Sequence, residues 1–146
     1  MTDFTHLDET GSVRMVDIGD KPVSERRATA CAELRMGPET ARMLRSLPKG
    51  DALATAQLAG IMAAKKTSEL IPLCHPLPIS NVELSLDVRP ESVEITASVS
   101  TRAQTGVEME ALVAATVAAL TVYDMAKGVD KEMVLSEVRL VEKRKE

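Results

Sequence analysis

The segment Thr105–Lys127, TGVEMEALVAATVAALTVYDMAK, decides how the rest of the chain has to be arranged. Wound as a helix it is apolar on nearly every side, yet it keeps Glu108, Glu110, Asp124 and Lys127 near its two ends. A helix without a polar face must be covered by a sheet, by other helices or by another subunit. Charges on such a helix are costly unless each has a partner, so these four are candidates for function. At about 100° per residue, Glu110 and Asp124 fall within roughly 40° of each other around the axis. Lys127, three residues past Asp124, shares that face. Plain structural roles compete with chemistry here. Thr105 and Glu108 match the Ser/Thr-x-x-Glu capping box, and Asp124 with Lys127 matches a surface ion pair of little energetic weight. The two carboxylates interrupt the segment short of the roughly 20 apolar residues that cross a bilayer, so no membrane span is expected.

Outward from this helix the chain alternates. Upstream, Val82, Leu84, Leu86 and Val88 alternate with Glu83, Ser85, Asp87 and Arg89, and Val93, Ile95, Ala97 and Val99 repeat the pattern after Pro90-Glu91. Period-two apolarity on both sides of a turn predicts a hairpin, Ile79 to Arg89 and Ser92 to Thr101, with one dry face. Downstream, Gly128 suits a left-handed helix cap, Met133 to Val141 reads as a last strand, and Lys143 to Glu146 as a charged tail.

The first half follows the same logic. Met1 to Glu25 is polar and punctuated by Gly and Pro, an arm without its own core and partly flexible, which leaves residues 26–146 as a single domain. Arg26 to Met36 alternates through Ala28, Ala30, Ala32 and Leu34 as a strand, and Pro38 to Ser46 makes a short helix. Asp51 is placed to cap a long alanine-rich helix reaching Leu70. Lys65 and Lys66 near its end fit a solvated patch favoured by the helix dipole. In the loop Ile71-Pro-Leu-Cys-His-Pro-Leu-Pro78, three prolines stiffen the path and present His75 on a rigid connection. A lone loop histidine is also compatible with a purely structural role.

Strand, helices, strand, strand, helix, strand is the split β-α-β order of ferredoxin-like α+β folds: an antiparallel sheet with helices packed on one face. The 146 residues are one domain's worth. The core has to be built from Ala, Val, Leu and Met, because there is one Phe, one Tyr and no Trp. Small side chains bury little area each, so self-association is expected. A net charge of −4 with almost no aromatic side chains argues against nucleic-acid binding. Cys31 and Cys74 form no CxxC pattern and there are two histidines, which argues against a closed zinc site. No targeting signal is visible at the start, and the expected compartment is the cytoplasm.

Arg26, Lys49, Lys65 and His75 sit at breaks between elements, and Glu110, Asp124 and Lys127 come from the last helix. Cations in a net acidic protein suggest an anionic small ligand. A neighbouring Asp and Lys can transfer protons, the more readily if burial lowers the lysine pKa. No Walker A or GxGxxG loop is present. From residues alone the reading ends at an anion-binding α+β oligomer with an acid/base pair.

Three runs take it further: KGDALATAQLAGIMAAKKTSELIPLCHPL from Lys49, TGVEMEALVAATVAALTVYDMAKGVDKEMV from Thr105, and RMVDIGDKPVSERRATA from Arg14. They resemble the MoaC family of molybdenum cofactor biosynthesis over nearly the whole chain, from about His6 to Leu140. The resemblance implies a ferredoxin-like subunit and a homohexamer, a trimer of dimers with active sites at subunit interfaces. It implies a lyase reaction in which 3′,8-cyclo-7,8-dihydro-GTP becomes cyclic pyranopterin monophosphate and pyrophosphate leaves, with no metal or other cofactor. The partner is then a purine-derived triphosphate, with neither nucleic acid nor membrane. Carried onto this chain, Asp124 and Lys127 of YDM-x-K are the catalytic pair. Arg26, Lys49, Lys65, Leu73, Cys74, His75, Glu108, Met109 and Glu110 bind substrate. Ala126 stands where many relatives carry Cys, and Gly128 where many carry Ala; neither is a side chain assigned to chemistry. Two other readings remain in view: a regulatory module of the same fold that binds an anionic metabolite, and a sheet-type nucleic-acid binder.

Overall fold

A computed structural model describes residues 4–146; Met1, Thr2 and Asp3 of the expected arm lie outside the described residues. Eight elements follow in order: β1 (Ser24–Arg35), α1 (Pro38–Met43), α2 (Ala52–Lys65), α3 (Thr67–Leu70), β2 (Ile79–Arg89), β3 (Ser92–Ala103), α4 (Glu108–Ala126) and β4 (Val134–Lys145). The strands form one antiparallel sheet in the order β2-β3-β1-β4. That is the ferredoxin-like arrangement expected from the element order, with α2 and α4 packed on one face.

The alternation works as the sequence implies. Ala28, Ala30, Ala32 and Leu34 of β1 and Val93, Ile95, Ala97 and Val99 of β3 are fully buried under the helices. From above, α4 contributes Ala111, Ala114, Ala115, Ala118, Ala119 and Val122, each equally buried. Alanine against alanine brings the helix close to the sheet, which is how a chain with so few large side chains still packs densely. By length and mean hydropathy, 1.4, α4 would pass for a membrane span, but half of it is buried inside the fold. The close approach extends to α2. A Cβ built on Gly60 would stand 3.0 Å from the carbonyl oxygen of Ala114 and 2.5 Å from a Leu84 methyl, so glycine is what lets these helices cross here.

Several boundaries differ from expectation, each for a local reason. The long second helix stops at Lys65, where the buried Thr67 donates its hydroxyl to the carbonyls of Ala63 and Ala64 at 3.1 and 3.0 Å and competes for the ladder's acceptors. The capping box does not form. Val107 is the N-cap of α4 with no side-chain cap, and the Glu108 carboxylate lies over Gly106. Gly128 does not take the left-handed conformation, which among glycines belongs to Gly11 and Gly50. Instead, Val129 and Asp130 both donate their N–H to the Ala126 carbonyl. Asp130 then ties the helix end to α1, accepting from Gly37 N and Thr40 Oγ1 at 2.9 Å each. Lys143, Arg144 and Lys145 are not a loose tail: they continue β4 along β1 as far as the pair Arg26–Lys145. Ladder bonds use the main chain only, and charge on an edge strand protects it from further pairing.

Candidate active site

One cluster sits at the C-terminal end of α4. Leu47 and Gly50 exchange main-chain hydrogen bonds at 3.1 and 2.9 Å, and Gly50 has a φ of 116°, so the chain turns sharply through Pro48-Lys49. Asp51 then caps α2, accepting from the N–H groups of Leu53 and Ala54. The turn delivers Lys49 Nζ to within 3.0 Å of Asp124 Oδ2, and Lys127 Nζ lies 2.9 Å from Asp124 Oδ1. Asp124 thus accepts from two ammonium groups at once. Its carboxyl is held below the ordinary range, first by the hydrogen bond from Lys127 and then by that from Lys49. Lys127 is pushed up in turn by Asp124. This corrects the expectation of a lysine lowered by burial: Lys127 is exposed, and its carboxylate neighbour stabilises the charged form.

A second cluster sits at the other end of the same helix. The proline-stiffened loop lays Leu73, Cys74 and His75 against Thr105, Gly106, Glu108, Met109 and Glu110, around a cavity of about 360 Å³. Glu110 is 3% exposed. Its Oε2 accepts from Cys74 Sγ at 3.6 Å, while Oε1 has no partner among the described residues. Desolvation pushes the Glu110 carboxyl up, with Glu108 adding to the effect. Burial, then the Glu110 charge, pushes the Cys74 thiol up to about 11. A smaller recess joins Lys65 and Ser68 to His75 and Glu110; Lys66 does not line it. Arg26 lies beyond Glu108, in a cavity of about 170 Å³ shared with Gly106, Val107, Lys143, Arg144 and Lys145. Its Nε is buried without a hydrogen-bond partner among the described residues.

The eleven side chains singled out in the sequence therefore fall into two groups. Lys49, Asp124 and Lys127 meet directly. Lys65, Leu73, Cys74, His75, Glu108, Met109, Glu110 and Arg26 gather around three cavities that share lining residues. Glu110 and Asp124 share a helix face as the angular spacing implies, but fourteen residues at 1.5 Å each separate them by about 21 Å along the axis. Residues not anticipated also line the site: His6, Val16, Ile18 and Lys21 of the arm in the main cavity, and Lys143 to Lys145 beside Arg26. Lysine and histidine in the arm were the available signal, and no periodicity said where the arm lies.

Fold and side chains together define a ferredoxin-like α+β protein that carries an Asp–Lys pair and a buried carboxylate beside cationic cavities, the equipment for proton transfer on an anionic ligand. Comparison of the sequence with known families makes this specific. The MoaC family model matches residues 15–146, and the chain belongs to that family. It is 55% identical to a protein of Roseiflexus sp. (strain RS-1) named cyclic pyranopterin monophosphate synthase, over 98% of this chain and 93% of the relative. The synthase of the same name from Streptomyces griseus is 56% identical over 94% of this chain and 78% of its own length. That of Peptoclostridium acidaminophilum is 51% identical over 97% and 91%.

Proposed function

We propose that this chain is the lyase that converts 3′,8-cyclo-7,8-dihydro-GTP into cyclic pyranopterin monophosphate with release of pyrophosphate, within molybdenum cofactor biosynthesis. The observation that carries the reading is Asp124 held between Lys49 and Lys127, in a chain 55% identical to a synthase of that product.

The residues divide the work by chemistry. Closing the cyclic phosphate joins a substrate hydroxyl oxygen to the α-phosphorus as the bond to the bridging oxygen breaks. The hydroxyl proton passes to a base and the bonding pair leaves with pyrophosphate. Arg26, Lys49 and Lys65 offset the phosphate charge as it shifts. Asp124, kept ionised by its lysines, is the acceptor available at neutral pH, and Lys127, kept as ammonium, is the donor. Glu110, buried and with no partner on Oε1 among the described residues, accepts from the amino group of the guanine-derived ring. Leu73 and Met109 supply apolar wall, and Cys74, His75 and Glu108 complete the recognition surface.

We read residues 1–25 as an arm on a single domain, 26–146, and the assembly as a homohexamer, a trimer of dimers with sites between subunits. Support comes from the separation of about 21 Å between the two clusters, which leaves each needing the other from a second copy. The exposed apolar side chains Leu58, Met62, Leu120 and Tyr123 on the helical layer also need cover. The free thiols Cys31 and Cys74 fit the reducing cytoplasm.

A single-turnover assay with 3′,8-cyclo-7,8-dihydro-GTP, following pyrophosphate and the pterin product beside a Lys127→Ala variant, tests the reading. Turnover by the parent and none by the folded variant supports it. Binding without pyrophosphate release would make the chain a regulatory module instead.

A further inference from the structure

The N-terminal arm reaches the main cavity with few ties to the rest of the molecule. Before β1 begins at Ser24, the main-chain hydrogen bonds of the described arm residues close on the arm itself, with Asp8 donating to Ser12, Arg14 to His6 and Lys21 to Ile18. Its side-chain bonds, from His6 to the Arg14 carbonyl and around Asp8 and Asp17, do the same. Among the described residues, one side chain of the body is hydrogen-bonded to the arm. Gln104 Nε2 donates to the carbonyl oxygens of Gly19 at 3.2 Å and Lys21 at 3.1 Å. A primary amide has two N–H donors, and both are used on this short stretch of arm.

The position of the tie matters as much as its existence. Gln104 directly precedes Thr105 and Gly106, which line the cavity, so the arm is fastened at the cavity's rim. Four arm residues then contribute to the lining. Val16 and Ile18 supply apolar surface, and His6 and Lys21 stand in a wall otherwise supplied with the carboxylates Glu108 and Glu110. Lys21 is held through its own carbonyl, so the clasp acts on the residue that carries the charge.

We infer that Gln104 is a positioning residue that clasps the arm over the cavity, and that Lys21, presented by the clasp, binds the anionic part of the substrate. The inference rests on the reading of this cavity as the site for a purine-derived triphosphate. Seating the arm beforehand removes part of the ordering cost of binding. If the clasp is lost, apparent affinity falls in proportion to the seated fraction.

The test pairs a substrate-free readout with a kinetic one. Within the described arm, trypsin has one good site, after Arg14, because Lys21 is followed by Pro22. Cleavage there reports the unseated population when opening is fast. Gln104→Ala is expected to speed this cleavage by about tenfold, the weight of two modest hydrogen bonds. KM should rise by a similar factor with kcat nearly unchanged. Gln104→Lys, whose ammonium can donate to the same carbonyls, restores both values most of the way. Lys21→Ala raises KM and leaves cleavage at the parent's rate. The inference is overturned if Gln104→Ala leaves cleavage and KM within about twofold of the parent, if Gln104→Lys behaves as Gln104→Ala does, or if Lys21→Ala leaves KM unchanged. Absence of turnover by the parent would overturn the assigned reaction and with it the role of Lys21. The cleavage comparison, which needs no substrate, judges the clasp separately.

Discussion

Lys127 Nζ stands 2.9 Å from Asp124 Oδ1, one helical turn away, while Lys49 Nζ closes on the other carboxylate oxygen at 3.0 Å. Each carboxylate oxygen therefore carries one ammonium donor and keeps a lone pair free to accept, and neither group titrates near neutrality. Asp124 has a lowered pKa, so its contribution to stability is present above the ordinary value of 3.8 and is lost as pH falls through the depressed one. Lys127 has a raised pKa, so its contribution is present below 10.5 and is lost as pH rises through the elevated one. Lys127→Ala is expected to keep the fold and lower kcat by about 10²–10⁴. In Lys49→Ala the Asp124 carboxyl should move back up toward its ordinary range, which a carbon-detected NMR titration would register. An Asp124 titration identical in parent and Lys49→Ala would rule out the double hold.

Burial and the neighbouring Glu110 carboxylate restrain the ionisation of Cys74, while the thiol's hydrogen bond favours the charged form of Glu110 against the stronger effect of its own burial. With the thiol pushed up to about 11, alkylation of Cys74 at neutral pH should be slow and should climb with pH toward that value, because the thiolate is the nucleophile. Glu110→Gln removes the nearby charge and should speed Cys74 alkylation at pH 8, read by peptide mass mapping against Cys31. The same variant tests stability. A raised carboxyl pKa contributes stability that is full below the ordinary 4.5 and is lost as pH rises through the elevated value. Glu110→Gln should abolish that decline and melt a few degrees higher near neutrality. An unchanged slope of melting temperature with pH would show that Glu110 is not desolvated.

The sheet was the most legible part of the chain, because a period of two between Ala28 and Leu34 and again between Val93 and Val99 has one reading once Pro90-Glu91 turns the chain. The ends of helices were less so. Nothing in the composition distinguishes Thr67 extending α2 from Thr67 taking its carbonyls, and a capping-box match at Thr105 and Glu108 does not require that the backbone adopt it. The candidate site was legible as a set of residues and opaque as a shape. Helical spacing puts Glu110 and Asp124 on one face but carries no information on which loops meet them, and only the turn at Gly50 and the proline loop decide that Lys49 meets one and Cys74 the other.

Gly60 tests the packing that supports both clusters. Alanine is intrinsically better in a helix by about 1 kcal/mol, yet its Cβ would press on the Ala114 carbonyl at 3.0 Å, which belongs to backbone and cannot swing aside. Overpacking of this kind costs about 1–3 kcal/mol. Gly60→Ala should therefore lower the urea midpoint without changing the slope. A rise in the midpoint would mean that α2 and α4 have room between them.

The distribution of clusters makes a last prediction about assembly. If each site takes Lys49, Asp124 and Lys127 from one subunit and Glu110, Cys74 and His75 from another, Lys127→Ala and Glu110→Gln damage different halves. Chains of the two variants, unfolded together and reassembled, then place two intact halves in about a quarter of the sites under random mixing. Activity should return to about that fraction of the parent's, well above what either variant shows alone. Mixing Lys127→Ala with Lys49→Ala should restore none, because Asp124 binds both lysines within one chain. Recovery in the second mixture and not the first would place the division of the site elsewhere in the fold.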